Sequence, residues 1–74
     1  MIFDRVKEII VDELGVEGSA VTMESTLEDL GADSLDAVEL IMALEEEYDL
    51  EFGEDEVKAM KSVKHIVDYI ESHQ

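Results

Sequence analysis

The chain reads as an all-α protein: a small antiparallel four-helix bundle, three longer helices and one short one, with a long first loop. Two observations lead there. Apolar residues recur at helical spacing in separate segments, with charged residues between them, and no segment alternates apolar and polar positions as a half-buried strand would. The apolar share, 46%, is too high for a disordered acidic segment even at a net charge of −16.

The first helix carries Phe3, Val6, Ile9, Ile10 and Leu14 on one stripe, with Arg5, Lys7, Glu8 and Asp12 between them. Gly15 stands where a left-handed residue would end it, and Val16 is placed to pack back onto it. From Glu17 to about Ala32 the periodicity fails, so this stretch is expected to be a loop, pinned by Val21, Leu27 and Leu30. Loops of that length in small domains are often functional. A second helix is expected from near Asp33 to Tyr48, with either Asp33 or Ser34 as N-cap and Asp36 adding negative charge to the first turn. A short third helix from Glu54 to Met60 offers only Val57, Ala59 and Met60 as apolar anchors. The last helix follows Ser62 as N-cap and carries Val63, Ile66, Val67 and Ile70 at i, i+3, i+4 and i+7.

Length leaves room for one domain, residues 1–74, with a thin core. Five Lys and Arg against 21 Asp and Glu exclude nucleic acid and anionic membranes as partners, because both need clustered cations. The same charge favours basic protein surfaces, found quickly by electrostatic steering. Cysteine is absent, so there is no disulfide framework, thiol chemistry or zinc-finger pattern. Met1-Ile2-Phe3 leads straight into a charged helical pattern and no apolar run could span a bilayer, so a cytoplasmic location is expected.

The most informative segment is Gly31-Ala32-Asp33-Ser34-Leu35, which puts a serine hydroxyl at the mouth of the second helix. A nucleophilic serine needs a base and oxyanion donors. The only histidines, His65 and His73, lie far along the chain, and no Gly-x-Ser-x-Gly elbow surrounds Ser34. Ser34 therefore reads as an attachment point and the chain as no enzyme. The helix that follows has more apolar surface than one core face needs. At about 100° per residue, Ala37, Leu40, Ile41, Leu44 and Tyr48 gather on one side. Leu35, Val38 and Met42 gather nearly opposite, in line with Ser34 and bordered by Glu39, Glu45 and Glu46. An apolar strip rimmed by charge has the form of a docking site; a bundle that buried both sides would make it core instead.

The run Asp29-Leu30-Gly31-Ala32-Asp33-Ser34-Leu35-Asp36, followed by Val38-Glu39-Leu40 and Ala43-Leu44-Glu45-Glu46-Glu47-Tyr48, closely resembles bacterial-type acyl carrier proteins. The similarity extends from Arg5-Val6-Lys7 and Leu14-Gly15-Val16 to Asp68-Tyr69-Ile70. The resemblance implies that Ser34 carries 4′-phosphopantetheine, taken from coenzyme A, through a phosphodiester. It implies that thioesters on this arm pass growing acyl chains among the enzymes of dissociated (type II) fatty-acid synthesis. Carried over residue by residue, the family's partner surface falls on Asp33, Leu35, Asp36, Val38, Glu39, Met42, Glu45 and Glu46, with Phe52 and Glu54 as further contacts. Its acyl-chain cavity falls on Leu40, Leu44 and core residues of the last helix. The implied partners are basic surfaces of phosphopantetheinyl transferase, malonyl transferase, ketoacyl synthases, reductases, dehydratases and acyltransferases, met by a monomeric carrier. Relatives often have proline between the second and third helices, where this chain reads Leu50-Glu51-Phe52-Gly53-Glu54; glycine is expected to loosen that loop and the third helix after it.

Other chemistries fit less well. An EF-hand starting at Asp49 would have Gly53 one place early and Met60 where the last glutamate belongs, so only loose divalent binding is expected. Asp33 and Asp36 on an open helix end lack the cleft of a glycosidase. His65 and His73 read as surface residues, and Met23, Met42 and Met60 as no metal cluster. Within the carrier class, D-alanyl or polyketide cargo shares the serine motif, and an acidic adaptor of the same fold with Ser34 unmodified is the alternative outside it.

Overall fold

The computed structural model describes residues 1–73 and contains four α-helices: α1 (Ile2–Leu14), α2 (Ser34–Tyr48), α3 (Glu54–Ala59) and α4 (Val63–Ser72). A single 3₁₀ turn, Gly18–Ala20, interrupts the first loop, and no strand occurs among the described residues. The helical bundle expected from periodicity is present, and its core is the union of the expected stripes. Val6, Ile9 and Ile10 of α1 meet Leu40, Ile41 and Leu44 of α2 and Val63, Ile66, Val67 and Ile70 of α4 in one buried cluster. α1 is the central element, packing against both α2 and α4.

Helix ends follow local chemistry. Gly15 takes φ 67° and its amide donates to the Val11 carbonyl at 2.9 Å, closing α1 as its lack of a Cβ permits. α2 ends at Asp49, also left-handed at φ 53°, a conformation that short polar side chains tolerate better than most. Arg5 then ties the start of α1 to the end of α2, donating to Glu47 Oε1 at 2.8 Å and to Glu8 Oε2 at 2.9 Å. The hydrogen bond from Arg5 holds the Glu47 carboxyl below its ordinary range, and the same bond raises the Arg5 guanidinium.

The long first loop is a built framework. Val21, Leu27 and Leu30 are buried, as expected. Residues Thr26 to Asp29 form a miniature capping box: Asp29 N donates to Thr26 Oγ1 at 2.9 Å and Thr26 N to Asp29 Oδ2 at 3.4 Å. The turn closes at Gly31, φ 81°, with Ala32 N donating to the Leu27 carbonyl at 3.0 Å and Gly31 N to that of Glu28 at 2.9 Å, the bonding of a Schellman motif. Backbone pairing fixes this turn to the α3–α4 connection: Leu27 N donates to Lys61 O at 3.0 Å, Val63 N to Ser25 O at 2.9 Å, and Thr26 and Ser62 form an isolated bridge. The approach to α2 is thereby anchored to the entry of α4.

α3 spans six residues. Gly53, its N-cap, adopts φ −64° and ψ 158°, and its amide donates to no group among the described residues. That is the φ a proline ring would impose, so the freedom expected of glycine is not used in the folded chain.

Candidate functional site

α2 begins with two adjacent residues in different roles. Asp33 is the N-cap: its Oδ1 accepts from Asp36 N at 2.9 Å, while Asp36 Oδ2 accepts from Asp33 N at 3.3 Å, a reciprocal capping box. Of the two N-caps compatible with the sequence, the structure selects Asp33. Ser34 is the first helical residue. It is exposed, and its hydroxyl makes no hydrogen bond among the described residues. The amides of Ser34 and Leu35 likewise have no acceptor among the described residues, as the first turn of any helix leaves its leading N–H groups open. A free hydroxyl therefore sits beside two open amides at the positive end of a helix dipole, where an anion is favoured.

Along α2 the two apolar faces separate as the spacing indicated. Leu40, Ile41 and Leu44 are buried, whereas Leu35, Val38 and Met42 are 66%, 47% and 59% exposed. The strip below Ser34 is thus open surface, with Glu39 and Glu46 exposed along it. Its lower end runs into a groove of about 420 Å³ between α2 and α3, lined by Val38, Ile41, Met42, Glu45, Phe52, Glu54, Val57 and Lys58.

The phosphopantetheine attachment site family matches residues 4–70, which brackets this helix start, strip and groove. The chain is also 53% identical over 74 residues to an acyl carrier protein of Clostridium acetobutylicum, covering 99% of this chain and 96% of the relative. An acyl carrier protein of Clostridium perfringens is 54% identical over 72 residues, covering 96% and 95% of the two chains. This chain belongs to the acyl carrier protein family. It carries the family's phosphopantetheine attachment domain, and membership makes it a non-catalytic carrier of acyl groups.

Against that family frame, the expected site residues divide. Asp33, Ser34, Leu35, Val38, Glu39, Met42, Glu46 and Glu54 are exposed, and Asp36 is half-buried. Phe52 is not exposed: it is buried in the core cluster, its ring 4.6 Å from that of Tyr69, so it lines the groove from within. Glu45 is only half-exposed and its Oε2 accepts from Phe52 N at 2.8 Å, so this rim carboxylate is also an internal partner. Leu40 and Leu44 are fully buried in the packed interior. Val57, legible in the sequence only as an apolar anchor of α3, and Lys58 complete the groove; α3 is too short to show a periodic face that would mark them as its lining. Asp33 and Asp36, expected as partner contacts, also hold the helix start together. No helix among the described residues is long and apolar enough to cross a membrane.

Proposed function

We propose that the Ser34 hydroxyl is the attachment point of 4′-phosphopantetheine and that the chain, as a single domain over residues 1–74, carries acyl intermediates among the enzymes of cytoplasmic, dissociated (type II) fatty-acid synthesis. The observation that carries this reading is the division of labour at the helix start. Asp33 performs the capping, which leaves Ser34 with an exposed hydroxyl and no structural bond to break. The residues present fit the group. The Ser34 hydroxyl would take the ester bond, and the open amides of Ser34 and Leu35 would favour the phosphodiester charge and offset repulsion from Asp33 and Asp36. In loading, the Ser34 Oγ–phosphorus bond forms, the diphosphate bond of coenzyme A breaks, adenosine bisphosphate leaves, and the hydroxyl proton passes to a base of the transferase. When bound, the group supplies a terminal thiol for thioesters.

The strip of Leu35, Val38 and Met42, rimmed by Glu39 and Glu46, would meet the transferase, malonyl transferase and later enzymes of the pathway through their basic surfaces, with the carrier acting as a monomer. An acidic rim speeds and orients such encounters more than it tightens them. The fatty-acid assignment over D-alanyl or polyketide cargo is supported by the similarity to acyl carrier proteins over nearly their whole length.

Incubation with coenzyme A, magnesium and a phosphopantetheinyl transferase, followed by intact-mass and peptide mass spectrometry, tests the attachment. One addition is expected, at Ser34, and none in Ser34→Ala. Addition to the Ala variant at Ser19, Ser25 or Ser62 would overturn the assignment, and no addition to the wild type would favour an unmodified adaptor. Offering the loaded protein to malonyl transferase and to D-alanine ligase then distinguishes the cargo.

A further inference from the structure

Glu45 makes contacts that a rim charge would not need. Its carboxylate accepts from Phe52 N at 2.8 Å, seven residues on, and its backbone carbonyl accepts from Leu50 N at 3.1 Å and from Asp49 N. Three amides of the turn after α2 thus converge on one residue. From the other side, α4 holds the same segment: the Tyr69 hydroxyl donates to the Glu51 carbonyl at 3.0 Å and the Tyr69 ring lies against Phe52. Phe52, so gripped, is buried and forms a wall of the groove with Ile41, Met42 and Val57.

We infer that Glu45 is a positioning residue whose carboxylate latches the α2–α3 turn, fixing Phe52 as the wall of the groove and so setting how far that groove opens to an aliphatic chain. A hydrogen bond to an ionised acceptor is shorter and stronger than a neutral one, and half-burial protects it from screening. The donor is a backbone amide, so changes to the side chain at 45 act on the acceptor alone. Glutamine keeps an acceptor oxygen and loses the charge; alanine loses both. A residue that served only as a surface charge would respond equally to the two. The aliphatic occupant rests on the carrier reading above, whereas the latch itself does not.

Amide hydrogen exchange and ring-contact NMR on the unmodified protein test this. Removing a charge-assisted bond should speed exchange at the Phe52 amide about tenfold or more in Glu45→Ala. The Phe52–Tyr69 ring contacts should weaken and the Val38 and Val57 methyl signals should move, with Glu45→Gln restoring most of each. The core amides of Ile10 and Leu44 report global opening. Phe52 exchange unchanged in the Ala variant, an equal loosening in the Gln variant, or core amides quickened by the same factor as Phe52 would each overturn the latch. Failure of Ser34 to be loaded would overturn the carrier reading and leave these measurements intact.

Discussion

Asp33→Ala and Ser34→Ala should have unequal consequences although the residues are neighbours. Asp33→Ala removes the carboxylate that accepts from Asp36 N at 2.9 Å, leaving an amide of the first turn without its cap. Loss of an N-cap of this kind costs about 0.5–2 kcal/mol, typically about 1. The reciprocal bond, from Asp33 N to Asp36, uses a backbone donor and can survive, which argues for the middle of that range. Ser34→Ala breaks no hydrogen bond among the described residues and introduces a better helix former, so its effect should stay within about 0.5 kcal/mol and can be stabilising. In a domain of this size each kcal/mol moves the melting point by about 4–8 °C. Thermal melts by circular dichroism, in one buffer of fixed ionic strength, should therefore separate the variants. Urea melts of unchanged slope would show that the unfolded state is not responsible. Asp33→Asn should recover most of the loss, since asparagine caps about as well as aspartate. If Ser34→Ala lost as much as Asp33→Ala, the serine would be holding the helix end, and the reasoning that frees it for attachment would fail.

Two further outcomes are expected. Val38→Ala and Met42→Ala should each cost about 1 kcal/mol or less, because roughly half of each side chain is already in water, whereas Leu40→Ala and Leu44→Ala should cost about 2–5 kcal/mol; equal losses in urea melts would make the strip core. Gly53→Pro should stabilise by about 0.4–1 kcal/mol, since φ is already −64°, the amide is unused and a Cβ there meets nothing nearer than Glu56 Cγ at 3.7 Å, so the gain comes from the unfolded chain; a lower melting point would mean that Phe52 cannot adopt the backbone a following proline demands.

The periodic helices were legible because a single side-chain pattern determines which face they bury. The stripe of α4, the glycine stop of α1 and the opposed faces of α2 all appear in the structure where spacing put them. The first loop was legible as an absence of period and in its three pinning residues, Val21, Leu27 and Leu30. Its order comes from backbone groups of residues 23–27 pairing with 61–64, and backbone pairing across that distance leaves no side-chain signature. A local cue was present: Thr-x-x-Asp over residues 26–29 followed by Gly31 spells a capped turn with its glycine stop, on the same rules that mark a helix. At the site, the choice between Asp33 and Ser34 as cap was undecidable from residue preference, since both types cap well. The burial of Phe52 was not legible, because it depends on Tyr69 and Glu45, neither adjacent to it in the chain. The proline-like geometry at Gly53 was hidden for a different reason: glycine permits many conformations and so announces none.

The capping box has a consequence for how the carrier relates to its load. Folding and a covalent attachment are thermodynamically coupled when the attachment adds a contact or removes one that the folded state uses. The Ser34 hydroxyl contributes no such contact, because the Asp33 and Asp36 side chains satisfy the turn without it. Substitution on that oxygen would therefore remove none of the bonds that hold the start of α2. A group attached there would act on this helix end through its charge, toward the open amides of Ser34 and Leu35 and against the Asp33 and Asp36 carboxylates. An enzyme that must tell a bare chain from a loaded one would then have that charge, the group itself and whatever it brings to the groove between α2 and α3 to read.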